Sequence, residues 1–388
     1  MFERIENESN YNKFYFLDTF HFQCENVDPL TMDQFDRSCG SIKAIIDNPI
    51  FRTCKHVIAT GCGDSNIGAF SIESAFEHYL PDVEFEAVES IDLSRHYDFP
   101  EDCSDTIALF ISFSGGVYRT IEAMLQCKRH GVKTVAVTDN LESRTAKEAD
   151  ILYHTNDPKG DNHAGLRTYY SNVISCIILA ASMAEKRTGN SYIPALREAV
   201  QEYHDRFFSE FLAIDDFCFA LAIHWLDKKY IELVADGPMF WAAKFVQAKI
   251  IELSGDPCTV IDSEDFMHVN QLMVPHDDFG DIVIINSNDA NTSRIVETVN
   301  HMLEIGRPVA LFSDKTPEEL GIKGDIRFCH MPVPSLEWNF LAPIYTYLPG
   351  SIFGGFRHTT LGEPMFRGGF VPDIFVPTYF SPIDVIEY

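Results

Sequence analysis

The sequence predicts an α/β chain of two tandem doubly wound, flavodoxin-like domains with parallel sheets and helical connections. Three observations predict it. Short apolar runs alternate with helical stretches, as parallel strands and their crossovers do. The clearest run, Asp105-Thr106-Ile107-Ala108-Leu109-Phe110-Ile111, is apolar without alternation, so it reads as a strand buried on both faces. Finally, glycines that end a turn or a helix recur at a near-constant offset. Gly63 corresponds to Gly237 and Gly131 to Gly306, which marks an internal duplication.

The elements follow in order. Residues 1–50 form a polar, partly helical segment with an apolar patch at Ile42 to Ile46. The first domain, 51–190, opens with the strand His56 to Thr60, the turn Gly61-Cys62-Gly63-Asp64 and a helix from Ser65 to Tyr79. Strands follow at Val83 to Val88, Asp105 to Ile111 and Thr134 to Val137, with a helix at Val117 to His130. A short helix, Thr145 to Asp150, precedes Ile151-Leu152-Tyr153. Helix is then expected from Thr168 to Arg187 and, past Asn190, to Lys228. The second domain, 191–345, repeats the pattern with strands at Tyr230 to Ala235, Cys258 to Ile261, Ile282 to Ile285 and Pro308 to Phe312. Its helices are Phe240 to Leu253 and Thr292 to Ile305. The tail, 346–388, is rich in Gly, Pro and Phe and is expected to wrap the site or a neighbouring subunit.

Composition narrows the function. At 388 residues, 46% hydrophobic, the chain can bury two cores. Its formal charge of -28 argues against nucleic acid and anionic membrane surfaces as partners, and it repels a phosphate at long range. A phosphate site must therefore win locally. The ten cysteines are scattered without a CxxC pair and read as reduced, mostly buried thiols. The first residues lack an apolar leader and no run approaches a membrane span, so a cytoplasmic setting is expected. The fourteen histidines show no ligand spacing, and no metal or cofactor is expected.

The most informative stretch is Ile111-Ser112-Phe113-Ser114-Gly115-Gly116, where a buried strand gives way to a helix. A helix start offers unpaired N–H groups and the positive end of the dipole, hydroxyls add donors, and glycines admit a ligand to the backbone. A phosphate is the natural guest. The second copy has Asn286-Ser287-Asn288-Asp289 instead. An aspartate at that helix start occupies the anion position itself, so one phosphate site per chain is expected.

With these residues in view, the chain resembles the sugar isomerase (SIS) family over about residues 40 to 345. The double-SIS arrangement is similar to the isomerase half of glucosamine-6-phosphate synthase, the fructosamine-6-phosphate deglycases and tagatose-6-phosphate ketose/aldose isomerase. The motif rests on Thr60-Gly61-Cys62-Gly63-Asp64-Ser65, on Ser112-Phe113-Ser114-Gly115 and on Gly131 to Asp139. The resemblance implies that Ser65, Ser112 and Ser114 hold a sugar phosphate; Gly63 and Gly115 are candidate phosphate-binding residues beside them, and Phe113 is a further candidate. Val117 stands where the family has a threonine, and Arg119 or Arg167 is a candidate to compensate. Asp64, often a hydroxyl residue in the family, reads equally as a helix cap, and Arg167 as an ion-pair partner.

The resemblance further implies that Glu252 is the catalytic carboxylate and that His268 serves the site of the adjacent subunit, making a homodimer or higher homo-oligomer. Val269-Asn270 replaces the Gly-Pro that follows the family's histidine. Lys249 shares a helix face with Glu252 and reads as an enediolate partner or a surface charge. A glutaminase domain and its nucleophilic cysteine are missing from the pattern, so glutamine-fed amination is not expected. Moving one proton between C1 and C2 needs one carboxylate, and opening the sugar ring needs a group such as histidine that titrates near neutrality. The resemblance thus implies a phosphosugar aldose–ketose isomerase or a fructosamine-6-phosphate-type deglycase. The alternative is a sugar-phosphate sensor that kept the pocket and lost the chemistry.

Overall fold

A computed structural model describes residues 31–157 and 165–363. They fall into two compact units, one with residues 31–157 and 165–199, the other with 200–363.

The first unit holds a five-stranded parallel sheet: β1 (His56–Thr60), β2 (Glu84–Ala87), β3 (Thr106–Ile111), β4 (Lys133–Thr138) and β5 (Ile151–His154). Its order is β2-β1-β3-β4-β5. The second unit holds β6 (Tyr230–Val234), β7 (Cys258–Ile261), β8 (Phe279–Ile285), β9 (Val309–Ser313) and β10 (Arg327–His330), ordered β7-β6-β8-β9-β10. All of its pairings are parallel too. Both orders are 2-1-3-4-5, the flavodoxin-like order, in which ligands bind outside the carboxyl ends where the winding reverses. Those places are the ends of β1 and β3 in the first unit and of β6 and β8 in the second.

Sequence dictates the centre of each sheet. Every residue of β3 and of β8 is buried, as unalternated apolar strands covered on both faces require. Ile58, Ala108, Phe110 and Ala136 pack with Met124 and Cys127 in the first core. Val234, Val283 and Leu311 pack with Ile295 and Val299 in the second. The nine described cysteines, Cys39 to Cys329, are all free thiols.

Several boundaries move. The helix expected over Ser65 to Tyr79 is two, Asp64–Ser71 and Glu73–Tyr79, meeting at Ile72. The stretch past Asn190 is also two helices, Ile193–Ser209 and Phe211–His224, and β10 was not foreseen. The largest correction concerns the tail. Residues Leu348–Leu361 are not a surface strap but a buried helix of the second unit. Gly350 and Gly354 face the helix Pro238–Leu253 so closely that a Cβ on Gly350 would lie 2.5 Å from Val246 Cγ1. These glycines let two backbones approach, whereas the sequence reading took them for loop. The rest of the tail, 364–388, lies outside the described residues, as does most of the segment 1–50.

Candidate functional site

The first unit brings the two motif turns side by side, because β1 and β3 are neighbours. Gly63 ends the first turn at φ 58°, ψ -130°, a conformation that a Cβ disfavours, and launches the helix Asp64–Ser71. Asp64, expected as a cap, is the helix's first residue; Gly63 holds the cap position without a side-chain cap. Ser65 follows, half-buried. At the second turn Ser112 is buried, Phe113 half-buried and Ser114 exposed. The Ser112 hydroxyl accepts the Gly115 N–H at 3.1 Å, and the Ser114 hydroxyl accepts the Gly116 N–H at 3.4 Å. Gly115 has φ 61°, and its carbonyl takes the Thr145 hydroxyl at 2.8 Å. Thr138 Oγ1 donates to the Phe113 carbonyl at 3.1 Å, and Asn140 Nδ2 to the Ser114 carbonyl at 3.1 Å. The loop is thus braced from β4's end. The helix Tyr118–Arg129 then begins with Val117 at its cap position and no side-chain cap, at an end where backbone donors converge. Thr120 Oγ1 lies 3.5 Å from Cys62 Sγ, tying this helix start to the first turn.

The candidate cations of this unit are differently placed. Arg119 pairs with Glu122, a fully buried carboxylate that also takes Arg95 Nε at 2.9 Å. Arg119 is therefore engaged within its own helix, an i,i+3 pairing that the spacing alone would have suggested. Arg167, in the first turn of the helix Leu166–Thr188, stands 3.4 Å from Asp157. Burial pushes the Asp157 carboxyl up to about 6, with Arg167 opposing and Asp139 adding to the shift.

In the second unit, Lys249 and Glu252 lie near the C-terminal end of the helix Pro238–Leu253. That end is about 20 Å along the helix from β6's carboxyl edge, at 1.5 Å per residue. Lys249 Nζ is 2.7 Å from Glu252 Oε2 and 4.8 Å from the Phe245 ring centre. The lysine side chain is 1% exposed and the glutamate 30%, so a buried ammonium orients a carboxylate that still reaches solvent. Lys249 is therefore not a surface charge. His268 ends the helix Ser263–His268, two-thirds exposed, with Nε2 2.9 Å from Glu264. Glu252 and His268 occupy different helices and have different ion-pair partners.

The sequence reading passed over a cavity of about 490 Å³ at the second unit's carboxyl edge, lined by Gly237, Phe240, Trp241, Ser263 and Arg294 among others. The duplication was the signal that could have found it. Asp236, Asp262 and Glu264 make its lining acidic. Asp236 accepts the Ser263 N–H at 2.8 Å; elsewhere in this unit Asp314 accepts the Ser287 N–H at 2.9 Å and Asp289 the Asn339 amide at 2.6 Å. Burial, with Asp236 and Asp314 nearby, pushes Asp289 upward. Among the described residues no group of three or more His, Cys, Asp or Glu side chains is placed to hold a metal ion, and no helix is long and apolar enough to cross a membrane.

Two five-stranded parallel sheets of the same order, with a hydroxyl-lined turn at the first switch point, define a tandem flavodoxin-like α/β protein. Residues 50–183 match the model of the SIS domain family. The human glutamine–fructose-6-phosphate aminotransferase [isomerizing] 2 is 29% identical over 136 residues, 35% of this chain and 20% of its own length. The Bartonella quintana aminotransferase is 24% identical over 187 residues, 48% of this chain and 30% of its own. The chain thus matches between a fifth and a third of these relatives' lengths. Among solved structures, the C-terminal domain of glucosamine-fructose-6-phosphate aminotransferase from Francisella tularensis superposes with a TM-score of 0.75 at 16% identity, covering 86% of this chain and 95% of that one. Tagatose-6-phosphate ketose/aldose isomerase from Escherichia coli gives 0.66 at 15% identity, covering 89% and 94%. These structures share the fold.

Proposed function

We propose that the protein binds a sugar phosphate at the hydroxyl-lined turns of the first unit and moves a proton between its C1 and C2. The product is the isomeric aldose or ketose phosphate or, from a fructosamine phosphate and water, a free amine and a sugar phosphate. The observation that carries this reading is the braced Ser112–Gly116 loop beside the Gly63 turn, at the switch point of the unit that matches the SIS domain family. Ser65, Ser112 and Ser114 supply hydroxyl donors, and the start of the helix Tyr118–Arg129 supplies backbone donors and a positive end.

Glu252 is the proposed base. It takes the C2 or C1 proton of the open-chain sugar and returns it to the neighbouring carbon through an enediol, or an enolamine for an amino substrate. The Lys249 ammonium orients that carboxylate. His268, exposed on a short helix, is proposed to protonate the ring oxygen in the site of a second copy, which makes a homodimer the smallest active form. Light scattering of the purified chain tests that assembly.

The alternative is a sugar-phosphate sensor. It is favoured by Val117, which puts no hydroxyl at the helix cap. Solvent-deuterium exchange into C1 or C2 of fructose 6-phosphate, read by NMR together with free amine from fructosamine 6-phosphate, separates the two. Exchange supports the enzyme; saturable binding without exchange leaves the sensor; neither binding nor exchange overturns both.

A further inference from the structure

We infer that Arg167 is an anion-binding residue of the first unit, held in reserve by Asp157. A dianion entering the hydroxyl-lined turns draws the guanidinium away from Asp157, and the carboxylate left behind takes a proton from solvent. This rests on the phosphate-binding reading above and adds to it a specificity residue and a proton linkage.

The pair is buried but poorly joined. The side chains of Arg167 and Asp157 are 11% and 1% exposed, and their closest approach is 3.4 Å. Arg167 Nε and both carboxylate oxygens of Asp157 are buried without a hydrogen bond. Buried ionised groups normally form short charge-assisted hydrogen bonds, so a buried arginine donor beside two unused acceptors is prepared for another partner. The other arginines considered near the turn, Arg95 and Arg119, are taken by Glu122.

Neighbouring residues link the pair to both turns. A Cβ on Gly165, two residues before Arg167, would lie 3.5 Å from Asp64 Oδ2, so this helix start stands against the Gly63–Ser65 turn. The Asp157 N–H donates to Asp139 Oδ1 at 2.8 Å, and the Asp139 N–H reaches the Phe113 carbonyl in the other turn. The groups that set the field at Asp157 are Arg167, Asp139 and Arg37, the last itself paired with Asp33. His154 faces Asp139 from β5 at 3.3 Å, and Asp64 faces Gly165. In a chain of formal charge -28, a dianion needs such a cation, and a counter-ion that can be neutralised makes it available. Burial holds Asp157 up to about 6, so it is ionised at pH 8 and protonated at pH 5.

Sulfate is the test probe, because it stays dianionic across this range while phosphate does not. Calorimetry with the full chain should show sulfate binding about tenfold tighter at pH 5 than at pH 8, with proton uptake near neutrality. Asp157→Asn should bind more tightly than the wild type at pH 8 and lose most of that slope, keeping only the part set by the chain's overall charge, and Arg167→Gln should bind weakly at both, with Arg167→Lys recovering part of the affinity. His154→Gln should keep the slope. Circular dichroism confirms that each variant is folded. Wild-type slope in Asp157→Asn or Arg167→Gln, or loss of the slope in His154→Gln, overturns the inference. If Ser112→Ala with Ser114→Ala abolishes sulfate binding while Arg167→Gln does not weaken it, the phosphate-binding reading stands and this inference falls. No sulfate binding by the wild type at either pH defeats both.

Discussion

The carboxyl edges of the two sheets start from the same backbone and end with opposite chemistry. Gly63 sits at φ 58°, ψ -130° and Gly237 at φ 54°, ψ -136°, each launching the helix after its unit's first strand. A serine opens the helix after each second strand. Ser90 donates to the Gly61 carbonyl at 2.8 Å in one copy, and Ser263 to the Asp236 carboxylate at 2.6 Å in the other. The first copy then leaves hydroxyls and glycines around the turn. The second copy places Asp236, Asp289 and Asp314 there, and two of these carboxylates take backbone N–H groups for themselves. The duplicated fold decides where donors converge; side chains decide whether a ligand or the protein's own carboxylate meets them.

The sharpest break in this comparison comes from the base. Glu252→Gln is expected to lower turnover by about 10²- to 10⁴-fold while binding of fructose 6-phosphate changes little. Unchanged turnover would remove the second unit from the chemistry. Next, the double variant Ser112→Ala with Ser114→Ala should weaken fructose 6-phosphate about 10- to 100-fold, two donors to a charged group being lost. Ser287→Ala in the second copy should leave that affinity unaltered. Equal losses from both copies would show that the carboxylates do not close the second turn.

The glycines test the half of the comparison that is shared. Gly63→Ala and Gly237→Ala should each cost about 1–2 kcal/mol in urea unfolding, since both need the same positive φ. A large difference between them would mean that the turns are not equivalent.

The smallest expected effect lies in the second sheet. Glu232 and Asp281 are registered partners on β6 and β8, both fully buried, and share Arg307, whose Nη1 is 3.3 Å from Asp281 and 3.8 Å from Glu232. Burial pushes Asp281 well above its ordinary value and Glu232 upward as well. A raised carboxyl stabilises most below the ordinary carboxylate range and loses that contribution as pH rises towards its folded value. Asp281→Asn should therefore flatten the fall of stability above about pH 4, read from urea midpoints. A steeper fall in the variant would show that Arg307 needs both carboxylates.

The runs Ile107–Ile111 of β3 and Ile282–Ile285 of β8 announced themselves because a strand covered on both faces reads as a near-continuous apolar run. The Ser112–Gly116 turn was legible because hydroxyls and glycines between a strand and a helix have few other uses. The Lys249–Glu252 contact followed from i,i+3 spacing. The helix Leu348–Leu361 was hidden, because Gly350 and Gly354 disfavour an isolated helix and are helical only against Val246 and Ile250.

By itself, then, the sequence determined the strand–helix alternation, the duplication and the place of the hydroxyl turn, since each depends on residues close together in the chain. Tertiary structure alone decided that Arg95 joins Arg119 on Glu122 while Arg167 stands loosely by Asp157, and that Asp314 closes the second turn. The reason is physical: a charge takes the partner that burial and geometry leave within reach, and that is settled only when distant segments meet.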